Sequence, residues 1–352
     1  MHRRAVLYAL ASAALFGLST PAAKVLLGTI RPAILAGLLY SGAGIGIGLL
    51  RRVRPRVFGL PTAPQVPLQR KDVPWLAAAI VAGGVIGPLL LMFGLTRTDA
   101  ATASLLMALE GAATAIIAWF VFRENFDRRV ALGMACLVAG ALILSWTGTP
   151  GLQNVLGPLA IVAACLAWGL DNNLTRKASL ADPLQIAEWK GLVAGPVNLL
   201  IGLWVGASIP SSFALLGAIV AGFFGYGLSL ALYIVALRDL GAARTGAYFS
   251  TAPFLGAVVS VAVLGENVNT SAFLAAGALM GLGVWLHVTE RHEHEHIHDV
   301  MAHVHPHVHD EHHQHEHQPE DPVGEPHTHW HEHGRLKHAH PHTPDMHHVH
   351  RH

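Results

Sequence analysis

Charge is scarce in this chain of 352 residues: 13% are Asp, Glu, Lys or Arg against 52% hydrophobic residues, a balance that excludes an ordinary soluble domain. Cysteine is scarcer still. Cys136 and Cys165 lie in apolar runs without metal-type spacing, so a disulfide framework and a thiolate metal centre are excluded, and both read as small core residues. No nucleophile–base grouping and no cofactor loop is present, which argues against an enzyme. Nothing points to a nucleic-acid partner. The averages conceal a division near His292, with almost all the apolar residues before it and a polar segment after it.

Stretches of about 18 to 25 residues that can cross about 30 Å of hydrocarbon fall near 5–27, 31–50, 75–96, 100–122, 128–146, 155–176, 183–206, 212–236, 243–263 and 271–288. This predicts an all-α integral membrane fold with ten transmembrane helices. The first stretch follows Arg3 and Arg4 as a signal peptide would, yet it runs on to Leu27, carries Lys24 and has an internal counterpart, so it reads as a retained span. With the N-terminus in the cytoplasm, that side receives Arg3, Arg4, Arg51, Arg52, Arg54, Arg56, Arg70, Lys71, Arg123, Arg128, Arg129, Arg176, Lys177, Arg238 and Arg244, while the other receives Arg31 and Arg97. The expectation is a bacterial-type inner membrane protein with both termini cytoplasmic.

The spans come in two sets. Leu95 through Ala100 to Glu124 lines up with Leu237 through Ala242 to Glu266, and Leu15-Phe16-Gly17 with Ala167-Trp168-Gly169. Five crossings per copy turn the second copy upside down, the inverted-repeat plan of many secondary transporters. The expected divisions are 1–147, 148–290 and a tail, 291–352. Gly42, Gly44, Gly46 and Gly48, and Gly277 with Gly281, have the small-residue spacing that lets helices approach closely. Pro88, Pro158, Pro196 and Pro253 interrupt apolar runs, and Pro88 and Pro253 are candidate kinks.

Trp168-Gly169, Pro253, Gly265-Glu266, Gly277 and Gly281 in the second half, with Gly17, Glu124, Gly133 and Gly140 in the first, resemble the drug/metabolite transporter superfamily, in particular its EamA-type ten-helix members. Pro183 and Lys190 match a family proline followed seven residues later by a basic residue. The first half keeps Pro32 but has Leu39 in the basic position. The resemblance spans about residues 5–288 and implies gradient-coupled movement of small organic solutes, often export, through a central cavity. It does not supply the cargo.

Polar groups inside the membrane cost a few kcal/mol each and usually face a cavity. Asp171 opens the run Asp171-Asn172-Asn173, and its counterpart is only Ser19, so it reads as a functional addition or as a hydrogen-bonded tie between helices. Glu110 sits midway along the fourth span, opposite Ala252 in the repeat, where a desolvated carboxyl can load and release a proton. Lys24 either snorkels to a surface or joins the site. Lys190 is the cavity candidate by its family position. Glu188, two residues away on the same helix, points elsewhere and reads as interfacial. The candidate substrate or coupling set is therefore Glu110, Asp171, Asn172, Asn173, Lys24 and Lys190. Glu124 and Glu266, symmetric at span ends, read as caps for the next helix start, and Tyr226, Tyr248, Ser250 and Trp168 as cavity liners or packing groups.

Of 25 histidines, 23 lie in the tail, largely as H-x-H strings. The candidate metal ligands are His292, His294, His296, His298, His303, His305, His307, His309, His327, His329, His331 and His333. Imidazole suits Ni, Zn, Co and Cu, so a divalent transition metal is the expected tail ligand, with no cofactor required. Eleven acidic residues against four basic ones make the tail net negative, and its composition predicts disorder. The expected function is a secondary transporter, in the export direction, of a small organic solute or metabolite, with the bilayer and a small-molecule or ion substrate as partners and a homodimer as one assembly. Export of Ni, Co or Zn or of a metal complex is the alternative, and a membrane-anchored metal buffer or sensor without transport the third. On the charge count, reporters fused after Arg54 and at the tail will score cytoplasmic, and one between Gly148 and Asn154 periplasmic. A periplasmic tail reverses the orientation.

Overall fold

The computed structural model describes residues 2–58, 68–121, 128–145, 152–178, 182–233, 236, 248–266, 268–288, 292–298, 301–307, 327–333 and 336–342. Two units are distinguished, Met1–Thr289 and Glu290–His352. The described elements of the first are helical: α1 (His2–Leu26), α2 (Pro32–Phe58), α3 (Val73–Ala79), a π-helical turn (Ile80–Ile86), α4 (Gly87–Leu95), α5 (Ala100–Leu106), α6 (Leu109–Phe120), α7 (Arg128–Ser145), α8 (Leu152–Ala178), α9 (Pro183–Trp204), α10 (Ser212–Gly222), a second π-helical turn (Phe223–Leu228), α11 (Ala252–Leu264) and α12 (Thr270–Val288). Among the described residues, six helical stretches are long and apolar enough to cross a membrane: Val6–Leu26, Pro32–Val53, Val73–Leu95, Val155–Thr175, Leu184–Trp204 and Ser212–Tyr233. Shorter apolar helices, Ala100–Thr114, Ala131–Ile143, Ala252–Leu264 and Thr270–Leu286, occupy the positions of the fourth, fifth, ninth and tenth expected spans. Large apolar residues such as Leu200, Phe213, Val263 and Leu274 are exposed on these helices, as a lipid-facing surface requires.

The main packing partners are α2 with α9, α7 with α12, α4 and α6 with α8, and α1 with α11. Glycine makes the closest of these approaches. Two interleaved pairs on α2 serve two neighbours, because residues two apart face opposite ways. Gly42 and Gly46 meet Ile219 and Phe223 at the end of α10, whereas Gly44 and Gly48 meet Gly191 and Glu188 on α9. A Cβ on Gly44 would lie 2.5 Å from Leu192 N, and one on Gly191 would strike the Gly44 backbone. The expected pair on α12 behaves differently. Nothing lies within 4 Å of a Cβ at Gly277, and Gly281 meets only the Phe254 ring at 3.9 Å, so α7 and α12 close instead through Gly140 against Met280 and Gly283 against Gly133 and Leu137.

The kink expected at Pro88 is prepared one turn earlier, in the π-helical turn. Gly87 N–H reaches back five residues to Ala82 O, Pro88 has no N–H, and the α register that resumes beyond leaves the carbonyls of Gly83 and Gly84 without main-chain donors. Side chains from three helices replace them. Tyr40 Oη and Trp168 Nε1 donate to Gly83 O at 2.7 and 2.9 Å, and Asn198 Nδ2 donates to Gly84 O at 2.8 Å. The second π-helical turn repeats the main-chain pattern 142 residues later, with Ser229 N–H on Phe224 O. Its Gly225 abuts Ser19, just as Gly83 abuts Asp171, the sequence counterpart of Ser19.

In the tail unit, composition predicts disorder, whereas the described residues form strands β1 (His292–His298), β2 (Met301–His307), β3 (His327–His333) and β4 (Leu336–His342). β1 pairs antiparallel with β4, and β2 with β3. The physical reason lies in the H-x-H alternation, whose period of two matches the pleat of a strand. The register sets His294 opposite His340, His296 opposite His338, His303 opposite His331 and His305 opposite His329. His309 lies outside the described residues.

Gly44→Leu or Gly191→Leu is expected to cost about 1–3 kcal/mol or more through overpacking, read as a lower unfolding temperature of the purified protein in detergent. Gly277→Ala, with open space around it, will leave that temperature unchanged or raise it.

Candidate functional site

Asp171 arises where α8 passes the π-helical turn, at a point where Gly83 has no side chain to keep it away. Its carboxylate is buried and bonded on both oxygens by Lys190 Nζ of α9, at 2.6 and 2.7 Å. Thr175, one turn along α8, donates to Asp171 Oδ1 at 2.8 Å and accepts from Lys190 at 3.1 Å. A buried pair in hydrocarbon holds only when its remaining hydrogen-bonding capacity is also used, and Thr175 supplies part of that.

The neighbouring residues on α8 tie this pair to α6. Asn172 Nδ2 donates to Glu110 Oε1 at 3.0 Å and lies 3.2 Å from Thr114 Oγ1, whose hydroxyl donates to the Glu110 carbonyl at 2.8 Å. Asn173 Nδ2 bridges Thr114 O and Gly169 O at 3.0 and 2.8 Å. Glu110 is partly exposed, and among the described residues no cation bonds its carboxylate. Thus Glu110, Asp171, Asn172, Asn173 and Lys190 form one cluster on α6, α8 and α9.

Lys24 is elsewhere. Its Nζ donates to Leu95 O and Thr98 O at 2.6 Å each, satisfying carbonyls at the end of α4. Glu188 is held by Arg51 and lies 3.8 Å from Arg52, with Asp182 3.2 Å from Arg51, a separate network that joins the C-terminal part of α2 to the N-terminal end of α9. Glu266 caps a helix as its symmetry suggests, but the helix is α5 in the other half. Its oxygens accept from Ala100 N and Ala101 N at 2.8 Å, while Asp99 accepts from Thr102 N at 2.6 Å. Gly265, at φ 65°, makes the left-handed turn that delivers Glu266. Glu124 lies outside the described residues.

The residues that sequence reasoning passed over are Tyr40, Thr114, Thr175 and Asn198. The signal for Tyr40 and Asn198 is the Gly83-Gly84 pair before Pro88, which marks a stretch of helix in need of outside donors, and that for Thr114 and Thr175 is their place one turn after Glu110 and Asp171. Tyr40 also begins a chain of partly buried rings. Tyr40 to Tyr226 measures 5.4 Å between centroids, Tyr226 to Phe16 6.0 Å, Phe16 to Phe249 5.4 Å and Phe249 to Tyr233 5.0 Å. Tyr248 and Ser250 are also partly exposed, and Trp168 is buried on Gly83. Among residues with described side chains, no group of three or more His, Cys, Asp or Glu is placed to hold a metal ion.

Comparison with known proteins fits this architecture. An uncharacterized transporter of Methanothermobacter thermautotrophicus is 28% identical over 282 residues, covering 77% of this chain and 82% of the relative. The probable 4-amino-4-deoxy-L-arabinose-phosphoundecaprenol flippase subunit ArnE of Pseudomonas fluorescens is 35% identical over 82 residues, 23% of this chain and 71% of that protein. A solved crystal structure, 19% identical, shares the fold at a TM-score of 0.56, covering 80% of this chain and 95% of that one. The EamA-like transporter family matches residues 3–146 and 155–289. With apolar helices long enough to span a bilayer and a polar cluster between them, the chain is a multi-pass membrane transporter that belongs to the EamA-like transporter family.

Proposed function

We propose that this transporter exports a small organic solute from the cytoplasm, coupled to a proton, through the region between two inverted five-helix halves that total ten spans, with both termini cytoplasmic. The observation that carries the reading is the pairing of charge inside the helical unit. Asp171 is balanced by Lys190, whereas among the described residues the Glu110 carboxylate is bonded by the Asn172 amide alone. An anchor has no use for such groups, which hydrocarbon makes expensive, and this counts against a buffer or sensor without transport. Support for the inverted halves comes from their packing. The first span of each half lies on the fourth of the other, α1 on α11 and α8 on α6, and α2 of the first half packs on α9 of the second. The two π-helical turns recur at the same offset.

In mechanism, Glu110 is the group free to exchange a proton, and Asn172 follows it because the amide bonds whichever form presents an acceptor. Asp171 and Lys190 join α8 to α9 beside the π-helical turn, so any rearrangement of α8 that loads Glu110 also works against this pair. A π turn beside a Pro supplies a place where a span can bend.

The tail is proposed to bind divalent transition metal, supported by the cross-strand register that places histidines opposite one another in two sheets, where facing Cβ atoms lie about 4.5–5.5 Å apart. Metal as cargo is the lesser reading, because the cluster offers hard oxygen and amide groups that suit imidazole-seeking metals poorly.

Glu110→Gln is expected to leave folding intact and to abolish proton flux driven by a solute gradient in proteoliposomes. Near-normal flux removes Glu110 from coupling. Asp171→Asn, or Lys190→Met, leaves one buried charge alone and is expected to cost about 3–5 kcal/mol. The combined variant recovers a large part of that loss in thermal unfolding, and full additivity of the two losses would dissolve the pair. Removal of the chain after Glu290 is expected to eliminate most Ni or Zn binding in a metal titration while leaving helical content unchanged.

A further inference from the structure

The contact between α2 and α10 is open along one side. Gly42 and Gly46 bring the two helices together at Ile219 and Phe223, and beside that contact runs an open groove of about 440 Å³, walled by Ile45, Leu49 and Val53 of α2 and by Val220 and Phe223 across it. Both walls belong to stretches that can cross a membrane, and Ile45, Leu49, Val53 and Val220 are exposed. Every lining residue is apolar, so the groove suits hydrocarbon and nothing that needs a hydrogen bond.

Its length and its end narrow the occupant further. From Gly42 to Val53 the helix rises about 16 Å, about half of the roughly 30 Å hydrocarbon core and hence the depth of one leaflet. The stripe of Ile45 and Leu49 continues into Arg52 at i, i+4 and i+7, and position 56, also arginine, falls on the same line. Arg51 points elsewhere and is engaged by Glu188 and Asp182. Arg52 lies 3.8 Å from Glu188, and its side chain is 71% exposed, so most of the guanidinium faces outward at the end of the groove. A guanidinium fork matches a phosphate, at which it makes charge-assisted hydrogen bonds.

We propose that the groove between α2 and α10 binds an anionic phospholipid from the leaflet at the arginine end of α2, its phosphate on Arg52 and one acyl chain laid along Ile45, Leu49, Val53 and Val220. A lipid in this place fastens α10 to α2 on the side that their glycine contact leaves uncovered. A free anion would use the arginine and waste the groove. A neutral lipid would use the groove and waste the arginine. The site asserts binding and needs no flux, so it stands or falls apart from the exporter reading.

The full chain, stripped of lipid in a non-ionic detergent, is titrated with phosphatidylglycerol and with phosphatidylcholine of the same acyl chains, and bound lipid is counted by native mass spectrometry. Phosphatidylglycerol is expected to fill one site about fivefold or more tightly than phosphatidylcholine, the worth of one basic residue at an anionic head group. Inorganic phosphate at the same concentration will not displace it. Arg52→Gln is expected to remove the preference while leaving phosphatidylcholine binding as it was, and Arg52→Lys to keep it in part, because the charge survives and the fork does not. Leu49→Trp, which fills the groove, is expected to weaken both lipids at unchanged helical content. Equal binding of the two lipids, a preference untouched by Arg52→Gln, or displacement by inorganic phosphate overturns the inference. So does a dimer of the full chain that Leu49→Trp breaks, since a second copy then covers the groove.

Discussion

In hydrocarbon there is no water to take up a main-chain group that lacks its partner, and at two departures from regular helix in this protein, the first π-helical turn and the break between α4 and α5, distant side chains take its place. The π-helical turn at Ile80–Ile86, ending at Pro88, frees two carbonyls, and Tyr40, Trp168 and Asn198 satisfy them. The break between α4 and α5 frees carbonyls at one end and amides at the other, and Lys24, Asp99 and Glu266 satisfy those. Every one of these side chains except Asp99 comes from a distant segment of the chain. The irregularities therefore bind the helices together, because each can persist only while its distant donor or acceptor stays in place.

The same constraint positions the chemistry. Gly83 lies in the widened turn with its carbonyl turned over to Tyr40 and Trp168, and the space a side chain would fill there is occupied by the Asp171 carboxylate. Asp171 is thus admitted by the glycine, balanced by Lys190 and joined through the next residue, Asn172, to Glu110. At the equivalent contact Ser19 stands against Gly225, and no carboxylate is present at that position. One scaffold contact, occurring twice, is charged once. That asymmetry distinguishes the site from the framework around it.

Much of this was legible in the residues. Hydropathy located the helices because lipid tolerates so few alternatives, and the cost of burying charge singled out Glu110, Asp171 and Lys190. The two-residue spacing of Glu188 and Lys190 correctly separated their partners, Arg51 and Asp171. What was not legible depends on contacts between distant segments. Tyr40 and Asn198 are unremarked polar residues until a broken turn in another helix needs a donor. Lys24 could be weighed as a site residue because its acceptors, Leu95 O and Thr98 O, lie more than seventy residues on and are main-chain atoms that no pattern displays. Spacing likewise could not say which of the glycines met a neighbour. A Cβ on Gly44 would strike another backbone, and one on Gly277 would meet open space among the described residues. In the tail, the composition that argues for disorder and the alternation that suits a strand are carried by the same histidines.

Glu266 closes the amide end of α5 from 166 residues farther along the chain. At synthesis rates of about 5–20 residues per second, roughly eight to thirty seconds separate the emergence of Ala100 from that of its carboxylate. Over that interval the first half sits in the membrane with an unfinished helix start, which water or lipid headgroups at the interface must tend. Its completion by Glu266 makes the late second half a template for the early first one, and ties the maturation of both to a single, late event of biogenesis.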